Sequence, residues 1–305
     1  MSSLAIVTAH DAAVLKKAIE VAVGVGPGAP TLQDLAPPST PTGNELDAPF
    51  ARFAANLVAR LEYNGVYGGL YPPSALTQLG TFSSNSGKFN GWLLRANADQ
   101  LWLVFRGTST KDEWQKDFQM QQVPFLTRMA SRAISRMAYP ELMHAPMLTN
   151  TDLFGPHLGV HSGFMDIYTS MRPTILDVLS ATSFTQLNIT GHSMGASQAL
   201  YATLDISTLF PTVVVNTVAF GCPRAGNTAF AEAVLAPPNV NSLVILANTC
   251  DMVTDVPLAV QPTLFPPYDA LVYTHPGSAI HHFTDNRGGW IANHMISVYL
   301  DYLTQ

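Results

Sequence analysis

The chain has 305 residues, of which 47% are hydrophobic and only 12% are charged, and its formal net charge at pH 7 is −6. This small acidic excess gives no reason to expect a nucleic-acid partner, and two cysteines are too few for a disulfide-built fold. No apolar run reaches the roughly 18 residues of a membrane span and the N-terminus has no positively charged leader, so we expect no transmembrane segment and no signal peptide, with secreted and cytoplasmic locations both open.

The N-terminal part of the chain differs in composition from the rest. Residues 11–23 have the spacing of a short amphipathic helix, and residues 24–43 are rich in Gly and Pro, which is typical of a loop. We therefore predict an N-terminal arm over residues 1–45 that packs on a single domain of residues 46–305.

The domain is predicted to alternate helices and strands. A helix at about 47–62 is followed by a hairpin whose short "ANAD" turn leads into a buried strand at 101–105. The later predicted elements are a helix at 164–180, a strand at 185–190, a helix at 194–205, a strand at 212–220, a helix at 226–235, a strand at 242–248 and a last helix at about 290–303. Apolar strands that alternate with helices predict an α/β fold with a mostly parallel sheet covered on both faces.

The stretch "GHSMG" lies where a predicted strand passes into a predicted helix. Gly-x-Ser-x-Gly in this context is the nucleophile-elbow pattern, in which a serine sits on a strained turn. Gly191 and Gly195 would supply the room that such a turn needs. A serine nucleophile requires a base and an orienting carboxylate, which follow it in the chain in the order acid, then histidine. Asp251, just past the end of a strand, and His294, at the start of the last helix, meet that order.

Several motifs occur in an order that resembles the class 3 lipases, the fungal-type triacylglycerol lipase family. They are "LWLVFRGTST", "KDEWQKDF", "VHSGF", "GHSMG", "FGCPRAGN", "NTCDMV" and "NHMISVY", and the match covers roughly residues 50–303. The resemblance implies an α/β-hydrolase fold with Ser193 as nucleophile, Asp251 as orienting acid and His294 as general base. It also implies an oxyanion hole made by the backbone N–H groups of Thr108 and Met194, carboxylic esters as substrates, and no metal or organic cofactor.

Each role has rivals in the sequence. Asp255 is a second candidate for the acid, although Asp251 lies nearer the strand end. His281 and His282 are rival bases in a segment that reads as an extended edge. His161 precedes the serine, which is the wrong chain order, and we expect a structural role for it. His192 is predicted to direct its ring away from the nucleophile, with substrate contact left open.

Four further side chains have two interpretations each. Arg106 could stabilise charge, but we expect it to anchor its loop on a carboxylate such as Asp117, and we expect the same kind of role for Arg224. Cys222 and Cys250 each follow a predicted strand, so they are either small apolar side chains or a bonded pair, which Cα spacing decides.

A long insertion at about residues 109–158 separates two of the motifs. Pro124 suits the first turn of a helix, and apolar and arginine side chains then recur every four residues on adjacent faces. One interpretation is a helix docked on the core. The other is a mobile lid, because flexible methionines and a basic amphipathic helix suit a lipid–water interface.

The leading functional hypothesis is a serine hydrolase of lipid esters that works through an acyl-enzyme. A feruloyl-type or other small-ester esterase and a phospholipase A1 are alternatives that use the same triad. A non-catalytic lipid-binding protein is the alternative of a different class. The sequence gives no acyl-chain preference and no oligomeric state.

Overall fold

The computed structural model describes residues 32, 34–41, 43–67, 71–87, 89–107, 122–124, 158–262 and 270–305. The predicted helix at 11–23 and most of the proposed arm and insertion lie outside these residues.

The described chain contains both helices and strands in alternation. The strands are β1 (Thr77–Ser83), β2 (Asn90–Arg95), β3 (Gln100–Phe105), β4 (Gln122–Pro124), β5 (Gly159–His161), β6 (Gln186–His192), β7 (Val214–Phe220), β8 (Val240–Asn248), β9 (Val260–Pro262), β10 (Ala270–Val272) and β11 (Ile280–Phe283). The α-helices are α1 (Ala48–Tyr67), α2 (Ser162–Ser180), α3 (Met194–Leu209), α4 (Thr228–Ala233), α5 (Trp290–His294) and α6 (Ile296–Tyr302).

A seven-stranded sheet forms the centre of the fold. Its strand order is β1-β2-β3-β6-β7-β8-β11. The first three strands pair antiparallel, whereas β3 and all the strands beyond it pair parallel. Parallel strands end at one edge of a sheet, so the C-terminal ends of β6, β7 and β8 lie side by side and can deliver side chains to one place.

Both faces of the sheet are covered by helices. Leu101, Leu103 and Phe105 of β3 belong to one apolar core together with α2 and α3, and the alternate residues Trp102 and Val104 belong to another with α1 and α6. This division follows from the period of two along a strand, which sends successive side chains to opposite faces. The predicted α/β architecture is therefore confirmed.

Helix α1 is fixed on the sheet by aromatic packing. The rings of Phe50 and Phe53 both lie with centroids 5.0 Å from the Trp102 ring, which is fully buried. Aromatic pairs of this kind add to the free energy of apolar burial. They fix α1, the helix that also carries Glu62, against strand β3.

The structure differs from the predicted elements in several places. Strand β1 was not predicted, since most of its residues are exposed and show no apolar alternation. The last helix is not continuous, because Met295 has extended backbone angles and separates α5 from α6. Pro124, which the sequence suggested for the first turn of a helix, is instead the last residue of strand β4, which pairs antiparallel with β5, and the rest of that predicted helix lies outside the described residues.

Within the described parts of the chain, we find no helix that is both long and apolar enough to cross a bilayer.

Candidate active site

Ser193 lies on the tight turn between β6 and α3. Its backbone has φ 57° and ψ −130°, and it is the one described residue other than glycine with a positive φ. The turn is closely packed, because a Cβ on Gly191 would lie 2.2 Å from the Gly195 carbonyl oxygen, and one on Gly195 would lie 2.6 Å from the Arg106 carbonyl oxygen. Only glycine fits these two positions, as the sequence predicted.

Replacing Gly191 by alanine should destabilise the fold by about 3 kcal/mol or more, because the new methyl group meets rigid backbone atoms. The measurement is the free energy of unfolding from urea denaturation. Gly277→Ala is the matched control, since a Cβ there meets nothing within 4 Å and should change stability by less than about 0.5 kcal/mol. Equal stability of the two variants would contradict the account of the turn.

The structure brings Ser193, Asp251 and His294 together. The Ser193 hydroxyl lies 2.8 Å from His294 Nε2, and His294 Nδ1 lies 2.7 Å from Asp251 Oδ2. Because the carboxylate can only accept, Nδ1–H donates to Asp251, which leaves Nε2 to accept the serine proton. The sequence suggested that His294 stands at the start of a long last helix. In the structure it is instead the last residue of the short helix α5.

Asp251 has several hydrogen-bond donors around it. Tyr299 donates its hydroxyl to Oδ2 at 2.6 Å, and the Val253 N–H donates to Oδ1 at 2.9 Å. Burial raises the pKa of the Asp251 carboxyl, but the charge of His294 and the hydrogen bonds from His294, Tyr299 and Val253 outweigh burial and lower that pKa below its ordinary value. Asp251 is thus held as a carboxylate, the form that orients an imidazole.

Tyr299 was not predicted from the sequence. Burial, followed by the adjacent Asp251 charge, raises the pKa of its hydroxyl well above the ordinary value, so the group remains a donor. Its position in the last helix, five residues after His294, carries no motif that would have singled it out.

A second buried acid–histidine pair lies beside the first. His192 Nδ1 is 2.8 Å from Glu62 Oε1, and His192 Nε2 is 2.7 Å from the carbonyl oxygen of His294. The same Glu62 oxygen accepts the Gly107 N–H at 3.0 Å. The His192 side chain is 6% exposed, and both of its ring nitrogens take part in these internal contacts.

The rival acid and the two arginines occupy other positions. Asp255 is exposed and pairs through Oδ1 with Arg224 at 2.8 Å, while Arg224 also donates to the carbonyl oxygens of Asp255 and Pro257. Arg224 therefore anchors the loop after Asp251. Arg106 is buried near Glu62, and its expected partner Asp117 lies outside the described residues.

The other histidines have structural contacts. His161 caps α2 by accepting the Phe164 N–H at its Nδ1, and its ring stacks on the Phe164 ring with centroids 3.9 Å apart. His281 lies in the edge strand β11, where Nε2 is 2.7 Å from the Asn44 carbonyl oxygen, and its neighbour His282 is exposed. None of these three rings forms the contact that His294 makes with Ser193.

Of the two predicted oxyanion residues, Met194 lies within the described residues and Thr108 does not. Met194 is the first residue of α3, so its N–H belongs to a helical turn whose N–H groups have no intrahelical acceptor. The helix dipole adds a partial positive charge at that end, next to the Ser193 hydroxyl. Thr108 lies outside the described residues, and the chain is described up to Gly107.

Cys222 and Cys250 are both free thiols. Cys222 is fully buried in the core, and burial raises the pKa of its thiol to about 12. Of the two interpretations from the sequence, that of an unbonded side chain is the one observed.

A family model of class 3 lipases matches residues 102–261. Curated relatives include the chloroplastic phospholipase A(1) DAD1 of Arabidopsis thaliana, which is 31% identical over 168 residues covering 51% of this chain and 33% of that protein. A lipase of Rhizopus niveus is 26% identical over 155 residues, which cover 50% of this chain and 34% of the relative. The chain thus spans about a third of the length of these relatives.

Solved structures with similar folds include fungal lipases. The crystal structure of a lipase from Rhizopus microsporus var. chinensis gives a TM-score of 0.51 at 20% identity and covers 79% of this chain and 86% of that one. A fungal lipase–inhibitor complex gives a TM-score of 0.50 at 21% identity, and the match covers 80% of this chain and 89% of that one. At these identities the likeness establishes the fold, which is the α/β-hydrolase fold predicted from the sequence.

Proposed function

Because the chain belongs to the class 3 lipase family, we propose that it is a serine hydrolase that cleaves carboxylic esters of lipids. The observation that carries the proposal is the continuous hydrogen-bonded chain from the Ser193 hydroxyl through His294 to Asp251. A serine at a strand-to-helix turn, a base within hydrogen-bond reach and a buried orienting carboxylate are the three parts of a nucleophilic acyl-transfer site.

The proposed reaction proceeds in two acyl-transfer steps. The Ser193 oxygen attacks the ester carbonyl carbon while its proton passes to His294 Nε2, and the resulting tetrahedral oxyanion collapses as His294 returns that proton to the leaving alcohol. Water then attacks the acyl-enzyme with the same proton transfers and releases the carboxylic acid. Throughout, Asp251 stabilises the imidazolium form of His294.

We assign the oxyanion hole to the backbone N–H groups of Met194 and Thr108. The support for Met194 is its place at the start of α3, beside the attacking oxygen. The support for Thr108 is its place in the motif, directly after Gly107. Losing one such donor typically costs about 3 kcal/mol of transition-state stabilisation.

A phospholipase A1 is the second candidate function. It is favoured by the relatives from Arabidopsis thaliana and Oryza sativa, which are named phospholipases A1, alongside the Rhizopus relatives, which are named lipases. Both activities use the same triad and differ in the head group of the glycerolipid. The proposed substrate class is therefore a glycerolipid ester, and the insertion at about 109–158 remains our candidate for a lid over it.

The test is a series of p-nitrophenyl esters of increasing acyl length, with triacylglycerol and phosphatidylcholine assayed in parallel. We expect hydrolysis of the esters, together with fatty-acid release from at least one of the two lipids. If the lid proposal is right, rates should rise once the ester exceeds its solubility limit and forms an interface.

Three outcomes would change the proposal. A folded protein that neither hydrolyses these esters nor reacts with a fluorophosphonate would favour a lipid carrier. Hydrolysis of short esters alone would favour a small-ester esterase. Release from phosphatidylcholine without release from triacylglycerol would select the phospholipase.

A further inference from the structure

The second acid–histidine pair touches two parts of the proposed reaction machinery. His192 connects to the base, because its Nε2 lies 2.7 Å from the His294 carbonyl oxygen. Glu62 connects to the start of the oxyanion loop, because it accepts the N–H of Gly107, the residue before Thr108. The two are joined by the 2.8 Å contact between His192 Nδ1 and Glu62 Oε1.

We propose that Glu62 and a doubly protonated His192 are positioning residues that lock the backbone of His294 and the entrance of the oxyanion loop into one geometry. This inference rests on the proposed hydrolase function for its kinetic part. Neither residue is assigned contact with the substrate. They act through His294 and Gly107.

With Glu62 ionised, the hydrogen-bond directions require both ring nitrogens of His192 to carry a proton. The His294 carbonyl oxygen can only accept, so Nε2–H must donate to it. Glu62 Oε1 already accepts the Gly107 N–H, and as a carboxylate oxygen it accepts from Nδ1–H as well. A neutral imidazole has a single N–H and would lose one of the two contacts.

The electrostatic surroundings agree with a charged pair. Burial lowers the pKa of His192, but the charge and hydrogen bond of Glu62, helped by the charge of Asp251, raise it above its ordinary value. Burial raises the pKa of Glu62, but the charge and hydrogen bond of His192 outweigh it, and that pKa is lowered. The imidazolium form of His192 and the carboxylate form of Glu62 are thus both favoured.

His192 contacts His294 at two points. Its Nε2 meets the carbonyl oxygen of His294, the residue that ends the short helix α5 before the chain becomes extended at Met295. The His192 ring packs on the His294 ring with centroids 4.6 Å apart. One side chain therefore fixes both the carbonyl and the ring face of the proposed base.

Stability alone is a poor explanation for this pair. A buried ion pair seldom stabilises a fold more than well-packed apolar side chains of similar volume would. The neighbours of Glu62 along α1, Leu61 and Tyr63, belong to the apolar core. A charge retained there, between the base and the oxyanion loop, fits a role in holding reacting groups, where a misplacement of about 1 Å can cost roughly 100-fold in rate.

The test is Glu62→Gln, which preserves shape and removes the charge. We expect kcat to fall roughly 10- to 100-fold with KM changed by less than about twofold, because positioning is lost while substrate contacts remain. Glu232→Gln, an exposed glutamate on α4, is the matched control and should behave as wild type.

The pH dependence of kcat/KM distinguishes a positioning role of the Glu62–His192 pair from a packing role. His192 must stay protonated, so kcat/KM should fall on the alkaline side as pH rises through its raised pKa. In Glu62→Gln the charge that raises this pKa is gone while burial still lowers it, so the alkaline limb should move to lower pH. Ionisable groups that face His192 from the surrounding elements are Glu62, Asp251, His294 and Tyr299, and Arg106 acts on it through Glu62.

A measurement on the wild-type protein avoids the risk that Glu62→Gln fails to fold. In ¹⁵N-histidine NMR, with His192 assigned by its loss in His192→Asn, both ring nitrogens should be protonated at neutral pH. A neutral His192 there, or wild-type kcat and pH profile in folded Glu62→Gln, would overturn the inference. Absence of all ester hydrolysis in the wild type would instead refute the proposed function, and the NMR result would still decide the protonation of His192.

Discussion

Replacing Ser193 by alanine is expected to lower kcat/KM for ester substrates by roughly 10⁶-fold, because removal of the nucleophile leaves only binding and the oxyanion hole. Geometry supports so large an effect, since Ser193 is the residue whose hydroxyl lies 2.8 Å from His294 Nε2. The measurement is steady-state hydrolysis of a p-nitrophenyl ester, together with labelling by a fluorophosphonate, which should be lost entirely.

Ser193→Gly is the informative companion of this variant. Ser193 has φ 57°, and a non-glycine residue held there stores about 1–3 kcal/mol of strain, which glycine releases. Part of this gain is offset by the larger entropy of glycine in the unfolded chain. We therefore expect Ser193→Gly to be as inactive as Ser193→Ala but more stable by about 1 kcal/mol. Substantial activity in either folded variant would show that Ser193 is not the nucleophile.

The elbow could be predicted because its signals are local. The strand β6, the two glycines and the start of α3 stand within one short stretch, and the close approach of Gly191 to the Gly195 backbone is what their sequence spacing implied. Asp251 could be singled out for a related reason. It stands three residues after the last residue of β8, and parallel strands bring their C-terminal ends to one edge.

The missed features depend on contacts that leave no local pattern. Glu62 meets Gly107 and His192, which are 45 and 130 residues away in the chain, so nothing near Glu62 in sequence marks it. Strand β1 was missed because an edge strand with one exposed face needs few apolar residues. The break at Met295 was missed because the apolar spacing of a helix continues through it.

Asp251→Asn is expected to lower kcat/KM by roughly 10⁴-fold. The amide cannot supply the negative charge that stabilises the imidazolium, and its NH₂ group favours the wrong tautomer of His294 when it faces Nδ1. The measurement is ester hydrolysis with fluorophosphonate labelling, which should be slowed but should still occur at Ser193.

The structure also predicts how replacing Asp251 changes the pH dependence of stability. Because the pKa of Asp251 is lowered in the folded state, its carboxylate contributes stability that is present above the ordinary Asp pKa and is lost as pH falls through the lowered value. Asp251→Asn should remove that contribution, so its unfolding free energy should depend less on pH in the acid range.

Asp255→Asn makes the same chemical change at the exposed rival acid, which pairs with Arg224, and we expect its kcat/KM to stay within about twofold of wild type. If Asp255→Asn loses the activity and Asp251→Asn retains it, the orienting acid has been assigned to the wrong residue, and the hydrogen bond between His294 and Asp251 is not the one that catalysis uses.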